Sequence, residues 1–204
     1  MKVLTINCQG VLNKKAELET LVDSTGADII IGCESWLNSD VKSNEVFPTG
    51  YNVFRKDRSS GKSRGGVFIL VNNKFNVDEP ENLRTRPECE LLWVRVKAQG
   101  EKNLYIGSFY KTPDISDPEY LQDLESSLGL IPSGAHIWLA GDFNLSDIDW
   151  DSESTKPYAH HSRLCKQLLD ITSNFFLHQV VDFPTRCTED TSNTLDLFFT
   201  NNNT

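Results

Sequence analysis

No stretch of the chain is long or apolar enough to span a membrane. The opening residues, MKVLTINC, are too short and too polar for a signal peptide. They read as a strand, so a domain is expected to begin almost at Met1. There is no Cys-x-x-Cys pair, and the five cysteines (Cys8, Cys33, Cys89, Cys165 and Cys187) are odd in number. That argues against a zinc site or a disulfide framework and favours a reducing, intracellular setting, with each cysteine a small buried hydrophobe. Basic charge is short as well: 20 Lys and Arg stand against 29 Asp and Glu, a formal net charge of −9. A protein that coats nucleic acid would be basic. An enzyme that gathers carboxylates around a divalent cation, and meets phosphate through a local basic patch, is not excluded. Internal repeats, linkers and low-complexity blocks are absent, and 204 residues suffice for a single domain with a real core.

What is present alternates. Strand-like segments fall at 2–6, 28–33, 51–55, 65–71, 90–97, 103–110, 136–141 and 195–200. Helical spacing of apolar residues marks 14–24, 117–128 and 160–176, with Asp117 as N-cap and Pro118 at the first helical position of the second. Residues 51–110 are nearly all strand, which implies hairpins and antiparallel pairing. An α/β sandwich of mixed sheets with helices outside is therefore expected rather than a purely parallel sheet. The basic patch is RKDRSSGKSR, residues 55–64, with Arg55, Lys56, Arg58, Lys62 and Arg64 against Asp57 alone. It sits on a hairpin loop closed by Gly65-Gly66, within reach of phosphates.

The strands end in an unusual way. VLTIN runs apolar into Asn7, ADIIIGCESW into Glu34 and NLYIGSFY into Tyr110. HIWLAGDFN runs, through the backbone relief of Gly141, into Asp142 and Asn144, and TLDLFFT sets Asp196 among alternating Leu and Phe. Each has a plain explanation alone: a turn former, a helix start, a core phenol, an edge-strand charge. Together, three carboxylates, two amides and a phenol at strand ends suggest one oxygen-rich rim for a hard cation such as Mg²⁺, since a buried unpaired carboxylate is costly.

Taken in order, TINCQG, CESWL, FYKTPD, GDFNLSDIDW and PTRCTEDTSNTLDLFFTN resemble the motif series of the endonuclease/exonuclease/phosphatase (DNase I-like) superfamily, and in detail the endonuclease domain of LINE-type (non-LTR) retrotransposons. The resemblance implies a four-layer α/β sandwich, Mg²⁺ or Mn²⁺ dependence, and hydrolysis of a phosphodiester in double-stranded DNA. It further implies action in the nucleus and a reverse transcriptase domain downstream in the same polypeptide. Residue by residue, it implies Glu34 as the main metal ligand supported by Asn7. It makes Tyr110 the phenol at the scissile phosphate, Asp142 the carboxylate that activates water, and Asn144 its partner. Asp196 becomes the carboxylate that fixes a catalytic histidine, and Thr185 a loop residue near the substrate. Lys56, Arg58, Lys62 and Arg64 would contact phosphates.

Two departures stand out. Gln9 takes the place of an acid found in some relatives, and the family's closing Ser-Asp-His is not present. The domain is therefore expected to be truncated before that motif, without its C-terminal strand and with an open sheet edge near Asp196. His136, His160, His161 and His178 read as structural or solvated. Two alternatives stay open: a repair or other phosphoester hydrolase of the same fold, and a non-catalytic binding domain derived from it.

Overall fold

The structure, a computed structural model, describes residues 1–58, 64–98, 100–115 and 118–202. Lys62 and the expected cap Asp117 lie outside the described residues. Fourteen strands are present among them: β1 (Val3–Asn7), β2 (Ile29–Cys33), β3 (Tyr51–Lys56), β4 (Val67–Asn72), β5 (Val77–Asp78), β6 (Glu90–Val96), β7 (Leu104–Tyr110), β8 (His136–Asp142), β9 (Ile148–Asp149), β10 (Ser154–Thr155), β11 (His178–Gln179), β12 (Arg186–Cys187), β13 (Ser192–Asn193) and β14 (Asp196–Thr200). The helices are α1 (Lys15–Thr25), α2 (Ser43–Val46), α3 (Glu119–Gly129) and α4 (Ser162–Asn174). The longer elements fall within about two residues of the sequence expectation. Pro118 is the cap of α3 rather than its first residue, because the helical pattern starts one position later.

Two mixed sheets result. One has the order β1-β2-β4-β3 and the other β11-β14-β8-β7-β6-β5. In the first, β1 and β2 run parallel and the rest antiparallel. In the second, β7 and β8 are the parallel pair. The inner strands β2, β4 and β7 are buried almost throughout, as strands covered on both faces must be. Between the sheets Ile29, Ile31, Val67 and Ile69 meet Val94, Ile106 and Ala140. Leu18 and Val22 of α1, with Val46 and Phe47, cover the outside of the first sheet against Phe68 and Leu70. Leu121, Leu124, Leu168 and Ile171 of α3 and α4 cover the second against Trp93, Leu139 and Phe199. This is the four-layer sandwich. Within it, Ser108 Oγ donates to the Gly32 carbonyl at 2.9 Å, a buried bond between the sheets.

Two expectations are corrected here. β14 is not left bare beyond β8. β11 pairs with Phe199 and Thr200, and the backbone N–H groups of Leu195 and Asp196 donate to Thr185 Oγ1 at 3.0 Å each. The loop after α4 has enough length to return along this edge. Cys187 is exposed on the small β12–β13 hairpin, unlike the other four cysteines, because that hairpin is a two-stranded sheet of its own and both residues of β12 are exposed. Among the described residues no helix is long and apolar enough to cross a membrane.

Gly141 shows why the rim needs a glycine. Its φ is +144°, and a Cβ there would lie 1.8 Å from the Phe109 carbonyl oxygen on the neighbouring strand. Backbone cannot yield to such a contact as a side chain can. Gly141→Ala is expected to destabilise the fold by at least about 3 kcal/mol, read as a lower urea midpoint. A loss within 0.5 kcal/mol would show that the β7–β8 spacing relaxes freely.

Candidate active site

The parallel pairs bring the strand ends together. Asn7 lies opposite Cys33, one residue before Glu34, and Tyr110 lies opposite Asp142. β14 enters antiparallel, so Asp196 pairs with Asp142 from the other side. The two sheets meet at Asn7. Its Nδ2 donates to Glu34 Oε1 at 3.0 Å and to Asp142 Oδ2 at 3.1 Å. The Asn144 backbone N–H donates to Asp142 Oδ1 at 3.0 Å, and its Nδ2 donates to the Lys111 carbonyl at 2.8 Å. Tyr120 OH donates to the Tyr110 carbonyl at 2.7 Å and fixes the end of β7. The sequence-predicted rim of Asn7, Glu34, Tyr110, Asp142, Asn144 and Asp196 is thus one constellation.

Its backbone is strained. Gln9, Glu34, Trp36 and Asn144 have φ of 44°, 52°, 56° and 47°, each costing about 1 kcal/mol or more for a residue with a side chain. Neighbouring loops hold this conformation. Gly10 and Val11 donate to the carbonyls of Glu34 and Ser35, while Ser35 and Trp36 donate to those of Gly66 and Gly65. Gly66, at φ +86°, is required: a Cβ would come 2.5 Å from Ser35 Oγ.

The electrostatics follow from burial. Asp142 is 6% exposed. Its carboxyl is pushed up to about 7, first by burial and then by the Asp196 carboxylate. Burial also raises Asp196. It raises the Tyr110 phenol too, and Glu34 adds to that, so the phenol stays protonated. Behind the rim, Lys111 is fully buried, which lowers its ammonium, and its backbone N–H donates to the Asp142 carbonyl at 2.9 Å. None of Glu34, Asp142 and Asp196 forms an ion pair among the described residues. No cluster of three or more His, Cys, Asp and Glu side chains there could hold a metal unaided. The donor set is one of carboxylate and amide oxygens with uncompensated negative charge. It fits a hard cation that keeps several waters, such as Mg²⁺.

The basic hairpin differs from the expected row of phosphate contacts. Lys56 Nζ donates to Thr85 Oγ1 at 2.7 Å and to the Arg86 carbonyl at 2.9 Å. Arg58 is turned inward. Its Nε donates to Glu90 Oε1 at 2.5 Å, and its guanidinium lies 5.7 Å from the centre of the Tyr110 ring. Its Nη2 is also 2.5 Å from that oxygen but out of hydrogen-bonding alignment, and is left without a hydrogen-bond partner. Glu90, only 3% exposed, also accepts from the Gly66 N–H. Arg64 is exposed over Trp36. Thr185 acts on Asp196 through the hydroxyl that anchors its backbone. The histidines stand apart: His136 and His178 lie at the ends of β8 and β11 away from the rim, and His160 and His161 precede α4. Sequence reasoning missed Trp36, Glu90 and Lys111. Glu90 had a signal, a lone acid opening an apolar strand. Lys111 had none, since a lysine after a strand reads as solvated.

Residues 104–204 match the family model described as endonuclease-reverse transcriptase. The structure is similar to the endonuclease domain of TRAS1, a telomere-specific non-LTR retrotransposon, at TM-score 0.71 and 20% identity over 97% of this chain and 83% of that one. Residues 104–204 thus carry the endonuclease-reverse transcriptase pattern, and the chain as a whole has the endonuclease/exonuclease/phosphatase (DNase I-like) fold. Also similar in fold are the AP endonuclease LMAP of Leishmania major (TM-score 0.68, 14% identity, 97% of this chain and 78% of that one) and an AP endonuclease of Archaeoglobus fulgidus (TM-score 0.68, 16% identity, 98% and 86%). No curated protein sequence matches the chain.

Two outcomes follow from the geometry of this site. Asp142 holds its proton to about pH 7 in the fold and to about 4 unfolded, so between these values the folded chain binds more protons. Metal-free stability should therefore fall as pH rises from 4 to 7, by up to about 4 kcal/mol from this group. Asp142→Asn should flatten that slope in urea titrations; an unaltered slope would exclude Asp142 as its source. Glu90→Ala should cost about 3–5 kcal/mol by leaving Arg58 buried and unpaired, again read from unfolding.

Proposed function

We propose that the chain is a metal-dependent phosphodiester hydrolase that nicks double-stranded DNA, acting as the endonuclease domain of a LINE-type retrotransposon. One observation carries this reading: a single amide, Asn7, joins Glu34 on one sheet to Asp142 on the other, beside Tyr110. Glu34, with the Asn7 carbonyl oxygen, would hold Mg²⁺ or Mn²⁺. Bound there, the ion supplies Lewis-acid stabilisation of charge on the phosphoryl oxygens.

The chain's own groups do the rest. Asp142, with a carboxyl near neutrality in the absence of metal, is matched to accept a proton from the attacking water. Asn144, locked to the Lys111 carbonyl, positions that water. The Tyr110 phenol donates a hydrogen bond to a non-bridging phosphoryl oxygen, and the Arg58 charge above its ring favours an anion there. Asp196, held by Thr185, is poised to orient a histidine. The histidine that the family pattern pairs with it is not among residues 1–204. Cleavage by these residues alone is therefore expected to be slower than with a Ser-Asp-His segment, by about 10²–10⁴-fold.

The biological reading follows the family description, which joins endonuclease to reverse transcriptase. The nick would open target DNA in the nucleus for a reverse transcriptase domain of the same polypeptide. The intact rim speaks against a non-catalytic domain, since decay of the site would remove several of its members.

Plasmid nicking tests the reading. Supercoiled DNA should be converted slowly to the open circle in Mg²⁺ and not in EDTA, with little difference between intact and abasic DNA. Glu34→Gln should abolish nicking and weaken Mg²⁺ binding in calorimetry while unfolding as the wild type does. Nicking that survives EDTA, or equal metal affinity in the two proteins, would refute the assignment; activity confined to abasic DNA would make it a repair enzyme.

A further inference from the structure

Trp36 is 38% exposed, with its backbone in the left-handed region at φ +56°. Neither is expected of a tryptophan recruited for burial. Its backbone N–H donates to the Gly65 carbonyl at 2.8 Å. Its ring lies against Gly10, where a Cβ would come 2.7 Å from Cε3. Its indole Nε1 donates to Glu34 Oε2 at 3.1 Å. Across the carboxylate, Asn7 donates to Oε1 at 3.0 Å. Each Glu34 oxygen thus has a fixed donor, with the Tyr110 phenol also beside the carboxylate. That sets the plane of the carboxylate and leaves further lone pairs open for a cation. The guanidinium carbon of Arg64 lies 5.6 Å from the centre of the Trp36 ring. Arg64 is exposed and has no ion pair among the described residues, whereas Lys56 and Arg58 are engaged within the fold.

We infer that Trp36 is a positioning residue with two outputs. Its indole N–H orients Glu34 toward the metal, and its ring carries Arg64 as the cation that meets a backbone phosphate of the DNA next to the cut. The inference rests on the nuclease reading above. One rigid ring then sets the spacing between metal ligand and phosphate clamp. The residue type fits both tasks. Phenylalanine would carry the guanidinium but could not bond the carboxylate, and leucine would do neither.

Three variants of the 204-residue chain separate the two outputs. Calorimetry with Mg²⁺ in the absence of DNA reads the first, and the slope of log K against log salt for duplex binding without divalent metal reads the second. Trp36→Phe should weaken Mg²⁺ binding about tenfold, the effect of losing a hydrogen bond to a charged group, and leave the salt slope unaltered. Arg64→Ser should lower the slope by about 0.9, one phosphate contact, and leave Mg²⁺ affinity unaltered. Trp36→Leu should do both; if it fails to fold, the other two variants still decide. Mg²⁺ should also shift the tryptophan fluorescence of the wild type but not of Trp36→Phe, a signature that a purely structural role would not give. Wild-type Mg²⁺ affinity in Trp36→Phe, or a wild-type slope in Arg64→Ser, would overturn the inference while leaving the nuclease reading intact. A wild-type chain that binds neither Mg²⁺ nor DNA would overturn both.

Discussion

The site depends on one hydrogen-bonding side chain placed where two sheets meet. Asn7 closes β1 of the first sheet, and its amide reaches Asp142 at the end of β8 in the second. The carboxylates of Glu34 and Asp142 repel each other and would drift apart if each answered only to its own strand. A neutral donor between them lets both stay at one rim without adding charge. Asparagine suits this place because its Nδ2 can serve two acceptors, while its carbonyl oxygen accepts from the Gln9 backbone N–H.

Around that contact the chain accepts local strain and buried charge, and the packing around the rim accounts for both. Four side-chain-bearing residues hold left-handed backbone near the rim; two adjoining loops pin Glu34 and Trp36 through main-chain bonds, and the side chains of Asn7 and Asp142 accept from the N–H groups of Gln9 and Asn144. Glu90 repeats the same logic one strand away. It opens β6 opposite Tyr110, accepts from Gly66, and draws Arg58 down over the phenol. The Gly65-Gly66 pair is therefore more than a hairpin closure. Its carbonyls fasten the Glu34 loop, and the Gly66 N–H ties that loop to the Glu90 ion pair.

The strands and helices were legible because their patterns are strong. β2 and β4 are continuous apolar runs, and α4 carries Leu164, Leu168 and Ile171 on one face. The rim residues were legible because a core strand that stops in Asn, Glu or Asp breaks its own pattern. The short strands β9 to β13 were not, since two-residue pairings are decided by where loops return rather than by periodicity. The basic hairpin misled in an instructive way. Five cations in ten residues read as an open patch, yet Lys56 and Arg58 are absorbed by acceptors on β6 and the loop before it.

Composition and order by themselves determined the layers of this protein and the identity of its polar strand ends, because hydrophobic periodicity and its interruption are local properties. Only the tertiary structure decided which charges face outward and which are paired inside. It also decided that an exposed tryptophan bonds a carboxylate two residues before it, and that Asp142 is buried deeply enough to hold a proton near neutrality. These depend on how loops and strands distant in the chain set local backbone geometry, as the Gly65 carbonyl does for Trp36, and on the solvent excluded between them, and no window of sequence contains either.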